Sequence, residues 1–241
     1  MGIKYSVNEN LFETWNSSMA YILGYIFADG SLENSPYIRG KYLRITSTDE
    51  SSIINLKSIL SSKHKIIKTL PDNNHKPDYL LRIGSHKIFN DLKKYGLHPH
   101  KSLTMMFPNP PKKYLGDFIR GYFDGDGCIH LERIKGGSIK CVRVIFTSGS
   151  IKFLSRLAEI LTSRILLTVR KIYKGTRSYQ LRYNTRDSEK LFVLMYKNTD
   201  GIFMERKFNI FCEYLKSKPN KNIGKSIKNI LRYHNGLVAK G

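Results

Sequence analysis

Two stretches of the same design constrain what this chain can fold into: Met19 to Gly30, MAYILGYIFADG, and Leu115 to Gly127, LGDFIRGYFDGDG. In each, an apolar run with helical character ends in a small residue, an aspartate and a glycine: Ala28-Asp29-Gly30, then Gly125-Asp126-Gly127. Small residues recur four apart, at Ala20, Gly24 and Ala28 in the first copy and at Gly121 and Gly125 in the second. On a helix that spacing makes one narrow stripe without bulk. Glycine inside a helix costs about 1 kcal/mol relative to alanine, and close approach of another backbone is the usual reason for it. The partner expected for each stripe is the other copy.

If the stripes face each other, the helices run side by side and bring Asp29 and Asp126 to the same end. That end is the negative pole of both helix dipoles, so two carboxylates there call for a cation. Hard oxygen ligands of this kind suit Mg²⁺ shared with water and substrate oxygens. A single Asp-Gly is more readily a turn that stops a helix before a strand; the second copy moves the reading towards a site.

The flanking sequence repeats too. After an N-terminal arm, residues 1–17, with Asn16 or Ser17 as the cap of the first helix and Trp15 as core, the first half (18–106) reads helix, hairpin, helix, hairpin, helix. Its hairpins flank Arg39-Gly40-Lys41 and the loop 71–77, and between them Thr48-Asp49-Glu50 opens a helix whose apolar face takes in Ile53, Ile54, Leu56, Ile59 and Leu60. Residues 107–114, with three prolines in FPNPPKK, form the linker. The second half (115–216) repeats the order, and residues 217–241 form a basic, loosely patterned tail. Ile45-Thr46-Ser47 is answered by Phe146-Thr147-Ser148, and Tyr79-Leu80-Leu81-Arg82 by Tyr179-Gln180-Leu181-Arg182. A divergent duplication with a pseudo-twofold axis between the motif helices is the expected architecture.

The nine-residue stretches Ile22 to Gly30, ILGYIFADG, and Ile119 to Gly127, IRGYFDGDG, resemble the two signature motifs of the single-chain LAGLIDADG homing endonucleases. The resemblance implies an α+β fold of two pseudosymmetric αββαββα subdomains with antiparallel DNA-binding sheets, paired at the two motif helices. It implies that Asp29 and Asp126 bind catalytic Mg²⁺, with Mn²⁺ or Ca²⁺ as substitutes in binding, together with the backbone carbonyls of Ala28 and Gly125. Lys101, in HPHKS, and Lys207, in ERKF, match lysines that lie near the cleaved phosphate. Ser47 and Ser148 match a polar position facing the active site. Motif one departs at Phe27, where the family often has aspartate; Asp124 keeps it in motif two and, present once, reads as structural. His98 and His100 flank Lys101 without metal-site spacing.

The expected function is a site-specific DNA endonuclease of the intron-homing type. It would make a metal-dependent double-strand break in a long pseudo-palindromic target, one phosphodiester per strand, as a monomer. An RNA-splicing maturase that takes intron RNA on the same scaffold, or a cleavage-inactive DNA-binding protein, remains the alternative. Aspartate in both copies favours the nuclease, and the lack of flanking splicing-domain sequence disfavours an intein-borne one.

The formal net charge of +22, carried by 41 Lys and Arg against 19 Asp and Glu, points to a polyanion. The basic residues are interleaved with tyrosine and β-branched residues along strands. In-phase candidates for DNA contact are Glu33, Tyr37, Tyr42, Arg44, Lys68, Leu80 and Arg82 in the first half, with Arg39 and Lys41 near the hairpin turn as further candidates. The second half offers His130, Glu132, Arg143, Ile145, Arg170, Lys174, Ser178, Gln180 and Arg182. Three scattered cysteines make no zinc site. The absence of a bilayer-length apolar run and of a signal-like start gives the expectation of a soluble intracellular protein, in an organelle or a bacterial cytoplasm.

Overall fold

The computed structural model describes residues 5–35, 37, 40–70, 77–218 and 224–238, with side chains to residue 233 in the last helix. The expected Arg39 contact lies outside the described residues. The chain divides into two compact units, residues 1–125 and 126–241.

Unit one opens with residues 5–15 docked rather than extended as an arm: Leu11 and Phe12 are buried, and Asn8 N–H donates to Leu60 O at 2.9 Å. Asn16 then caps α1, Ser17–Asp29, its side chain accepting from Met19 N–H at 2.8 Å. Strands β1 (Gly30–Ser35) and β2 (Gly40–Ser47) follow as a hairpin, then α2 (Glu50–Ile59), capped by Asp49. Next come β3 (Ile66–Lys68), β4 (Tyr79–Gly84) and α3 (His86–Lys94), capped by Ser85. The strands form one antiparallel sheet in the order β1-β2-β4-β3. Leu32, Leu43, Ile45, Leu81 and Ile83 share its inner face and are buried, as strand alternation requires. Within α2, Ile53, Leu56 and Leu60 are buried, but Ile54, expected on that face, is half exposed.

The proline-rich segment after α3 holds one short 3-10 turn, Lys112–Tyr114, and leads into α4, Leu115–Asp126. Up to Gly125 this helix belongs with unit one, because it packs along α1.

Unit two repeats the topology: β5 (Gly127–Arg133), β6 (Ile139–Ser148), α5 (Ile151–Ile165), β7 (Ile172–Lys174), β8 (Tyr179–Arg182) and α6 (Thr185–Tyr196). Its sheet has the matching order β5-β6-β8-β7. Two more helices follow, α7 (Glu205–Lys216) and α8 (Lys225–Val238). The latter corrects the expected loose tail: Ile227 and Ile230 are buried, three residues apart on one helix face, and α8 packs on α6. Among the described residues no helix is long and apolar enough to cross a membrane. The fold is α+β, two four-stranded antiparallel sheets with flanking helices.

Candidate active site and nucleic-acid interface

Glycine sets the distance between α1 and α4. A Cβ built on Gly24 would stand 2.1 Å from Phe118 O and 2.8 Å from Tyr122 N. One built on Gly121 would stand 1.9 Å from Tyr21 O and 3.0 Å from Tyr25 N. The contact is reciprocal, each glycine facing the other helix's backbone. One turn on, a Cβ on Gly125 would stand 2.3 Å from the Ala28 Cβ and 3.1 Å from Asp29 Oδ2. The small stripe therefore continues to the helix ends and leaves room there for the Asp29 carboxylate. Asp126 is the final residue of α4, one past Gly125.

The aspartate-glycine step is itself fixed by packing. Gly30 N–H donates to Ile26 O, and a Cβ on Gly30 would stand 2.6 Å from the Ile26 side chain. Only glycine lets the chain turn from α1 into β1 so tightly, which keeps Asp29 on the last turn.

Both candidate lysines are 95% buried, and both hold main-chain oxygens beside the motifs. Lys101 Nζ donates to Phe27 O at 2.7 Å and reaches Ala28 O at 3.4 Å, so its charge meets the negative end of α1. Lys207 Nζ donates to Gly127 O at 2.6 Å, one residue past Asp126. A buried ammonium stays in place only with such partners. Ser47 and Ser148 close the inner edge of their strands. Ser47 Oγ accepts from Tyr25 O–H at 3.2 Å and Asp49 N–H at 3.1 Å; Ser148 Oγ accepts from Ser150 N–H at 3.1 Å. Each thus shapes the turn into the following helix. His98 contacts Thr104 at 3.1 Å, and exposed His100, with φ of 59°, precedes the turn that carries Lys101.

The sequence reading missed how Tyr21 and Tyr25 are used. Tyr21 O–H donates to Asp124 Oδ2 at 2.8 Å in the buried interface, while Arg120, 1% exposed, is bonded to Asp117 at 2.9 Å and faces the Tyr21 ring at 5.2 Å. Phe27 packs edge-on to Phe118, with ring centroids 5.6 Å apart. The departure at Phe27 is thus an apolar pair where motif two carries the Tyr21–Asp124 bond, and Asp124 is structural as expected. Burial first, then the Asp124 charge, pushes the Tyr21 phenol well above its ordinary pKa. Burial and then the Asp29 carboxylate raise Tyr25 far above its own. Tyr21→Phe removes the donor and leaves the Asp124 carboxylate buried without it, so denaturant titration should show a loss of about 1.5–3 kcal/mol.

Among the described residues no three His, Cys, Asp or Glu side chains gather as a metal cage. A donor set of Asp29 and helix-end carbonyls fits a hard cation that takes its remaining ligands from water and substrate, as Mg²⁺ does with phosphates. It does not fit a soft or structural metal.

Register fixes which DNA candidates share a face. In sheet one Glu33 lies opposite Tyr42, Ser31 opposite Arg44, Arg44 opposite Arg82, and Thr46 opposite Leu80, all on the outer face. Tyr37, in the hairpin turn, is 97% exposed. In sheet two His130 lies opposite Arg143, Glu132 opposite Cys141, Ile145 opposite Arg182, and Thr147 opposite Gln180. Ser178 lies in the turn before β8, its carbonyl accepting from Gly175 N–H at 2.7 Å.

Four candidates are not on those faces. Lys41 alternates with Tyr42, so it falls on the α3 side, with Nζ 3.3 Å from Asn90 Oδ1 and 5.4 Å from the Phe89 ring centre. Lys68 pairs with Tyr79, and its ammonium is 5.5 Å from that ring, so it cannot share the Leu80 and Arg82 face. Lys174 pairs with Tyr179, which pairs with inward Ser148. Arg170 Nη2 is bonded to Asp187 Oδ2 at 3.1 Å, and Asp187 is 1% exposed. Loss of Arg170 would take this partner from the buried Asp187 carboxylate, which gives Arg170 a structural role in unit two.

Glycine-paired helices that end in aspartate, each leading into an antiparallel sheet of matching order, define the class: the fold is that of the two-domain LAGLIDADG homing endonucleases. The family model of the LAGLIDADG-like domain matches residues 113–194. The homing endonuclease I-WcaI bound to its DNA recognition sequence superposes with a TM-score of 0.61 at 14% identity, over 83% of this chain and 90% of that one. I-DmoI in complex with DNA and Ca gives 0.55 at 18% identity, over 84% and 99%. Full-length DUF199/WhiA from Thermatoga maritima gives 0.55 at 14% identity, over 96% and 72%.

Two curated relatives come from Methanocaldococcus jannaschii. A probable translation initiation factor IF-2 is 27% identical over 67% of this chain, and a reverse gyrase is 26% identical over 70%. This chain spans only 13% and 9% of their lengths.

Proposed function

We propose that this protein is a DNA endonuclease that makes a double-strand break in a long, pseudo-palindromic target, with Mg²⁺ held by Asp29 and Asp126, as a monomer of the intron-homing type. The observation that carries it is the helix pair: glycines pressed on opposing backbone, with aspartate ending each helix and buried Lys101 on the last carbonyls of α1. Structural pairing alone needs the glycines but neither the aspartates nor a buried ammonium.

The two curated relatives bear unrelated names and share only a small part of their length with this chain, so what is common is a module and not either protein's activity. I-WcaI and I-DmoI, which have this fold, were solved on DNA. The charge of +22 and the Arg-bearing outer faces fit the same partner.

A divalent ion bound at the helix ends would supply an activated water and neutralise charge on the scissile phosphate. Asp29 and Asp126 would hold it, with the Ala28 and Gly125 carbonyls as further candidate oxygens. Lys101 and Lys207 fix main-chain oxygens next to the two aspartates and add positive charge where negative charge builds on the phosphate. Tyr25 and Ser47 tie α1 to the end of β2. Lys101→Met keeps the stem and removes the charge. Plasmid cleavage should fall on the order of 10²-fold while DNA binding, spread over both sheets, stays near the parent's. Unchanged cleavage by this variant would remove the lysine from the site.

A further inference from the structure

We propose that Arg44 and Arg82 form a guanine-reading pair on the first sheet, held in reading position by Glu33, and that the equivalent row of the second sheet reads one guanine beside a thymine. The inference rests on the DNA-endonuclease reading and adds the base chemistry of its target.

The two rows are equivalent because each begins one residue after the glycine that follows a motif aspartate. In the first sheet the row is Ser31–Arg44–Arg82, and in the second Cys128–Ile145–Arg182. Two arginines directly opposite on neighbouring strands repel each other. Glu33 offsets this, with Oε1 3.3 Å from Arg44 Nη1 and Oε2 2.9 Å from Arg82 Nε. The Arg82 guanidinium also lies 3.7 Å from the centre of the Tyr42 ring. Stacking and the Nε bond together fix the plane of the fork, and the bond uses neither terminal nitrogen of Arg82.

Those two terminal groups match the O6 and N7 acceptors of guanine in the major groove. A phosphate is the competing partner, but a carboxylate between the two arginines repels phosphate and halves the net charge of the pair. Glu33 is thus a positioning residue for base reading.

In the second sheet Arg182 is held by a neutral group, Gln180 Oε1, which accepts from Nη2 at 2.7 Å and from Nε at 3.0 Å, with the Tyr173 ring 4.9 Å away. Unlike in Arg82 one terminal nitrogen is engaged, so a base would be met by Nη1 and the second N–H of Nη2. Ile145 replaces the second arginine. Its methyl groups suit the thymine methyl and offer no donor to guanine. The two half-sites therefore depart from palindromy at this step.

The test is enrichment of bound duplexes from a randomised library with Ca²⁺, using the full chain and its Arg82→Ala, Arg82→Lys, Glu33→Gln and Arg182→Ala variants, each checked for an unchanged melting temperature. The parent should enrich adjacent guanines in one half-site and a guanine beside thymine in the other. Arg82→Ala should weaken one guanine preference about ten-fold or more. Arg82→Lys keeps the charge but loses the fork, so it should behave as Arg82→Ala if a base is read and as the parent if a phosphate is held. Glu33→Gln should bind but discriminate less, and Arg182→Ala should change only the other half-site. Unaltered base preferences in Arg82→Ala, or a parental profile in Arg82→Lys, overturn the inference while leaving the nuclease reading intact. A parent that enriches no DNA overturns both.

Discussion

Gly121→Ala should lower the stability of unit one by more than about 3 kcal/mol and abolish cleavage. In an exposed helix the same substitution stabilises by about 1 kcal/mol, since alanine is the better helix former, so the sign of the change is diagnostic. It reverses here because the new methyl would stand 1.9 Å from Tyr21 O and 2.8 Å from Tyr21 C, which are backbone atoms of the partner helix and have no rotamer to give. Relief requires α1 and α4 to separate, which opens the buried Tyr21–Asp124 bond and the Phe27–Phe118 contact. Gly24→Ala meets Phe118 O at 2.1 Å and should behave alike. Gly201→Ala is no control, because its φ of 77° strains alanine by itself; Gly224, with nothing near its Cβ position, is. Denaturant titrations of Gly121→Ala, Gly24→Ala and Gly224→Ala measure the effect, and a Gly121→Ala protein as stable as the parent would mean that the helices do not touch there.

Asp29→Asn and Asp126→Asn should each reduce double-strand cleavage by about 10³-fold or more while binding of the target stays within a few-fold of the parent. Asparagine keeps the size and loses the charge that holds a hard cation. On the proposed reading affinity would come from phosphate and base contacts spread over the two sheet faces, which neither substitution touches. The helix dipole disfavours a carboxylate at a helix C-terminus, so the dipole itself gives neither variant a reason to be less stable, and denaturant titration beside the cleavage rate measures the two effects apart. Loss of activity without loss of stability separates a chemical role from a helix-stopping one. Should both variants unfold and cut in proportion, the aspartates are structural.

The helix pair was legible in the sequence because glycine inside an apolar helix is costly unless another backbone presses against it, and the second copy made the reading mutual. The strands were legible through alternation in Leu43-Arg44-Ile45 and Tyr79-Leu80-Leu81-Arg82. Helix starts were legible from their caps, Asn16 and Asp49. Cross-strand register was not, since alternation gives the parity of one strand and the pairing depends on loop length. That is why Lys68 sits with Leu80 in the sequence pattern although it pairs with Tyr79 in the sheet. Lys41 neighbours outward Tyr42 and so takes the opposite face, which alternation along β2 already implies. Arg170 has the pattern of a surface base because Asp187, its partner, comes from a helix start 17 residues on. The signal for α8 was present in Ile227 and Ile230 but was outweighed by the charge around them. Nothing local announces that Tyr21 donates to a carboxylate 103 residues away. Lys101 and Lys207 were singled out by the family resemblance and by their equivalent placement in the two repeats, and their carbonyl partners needed the fold.

The central claim is that Asp29 and Asp126 hold a divalent ion for site-specific DNA cleavage. Its most direct measurement is sequencing of the ends released when the protein is incubated with a randomised duplex library in Mg²⁺, beside an EDTA control and the Asp126→Asn variant. The predicted result is paired ends at one family of related sequences, seen with Mg²⁺ and the parent protein only. Ends that persist in EDTA or with Asp126→Asn, or no ends from a folded parent that binds DNA, would contradict it.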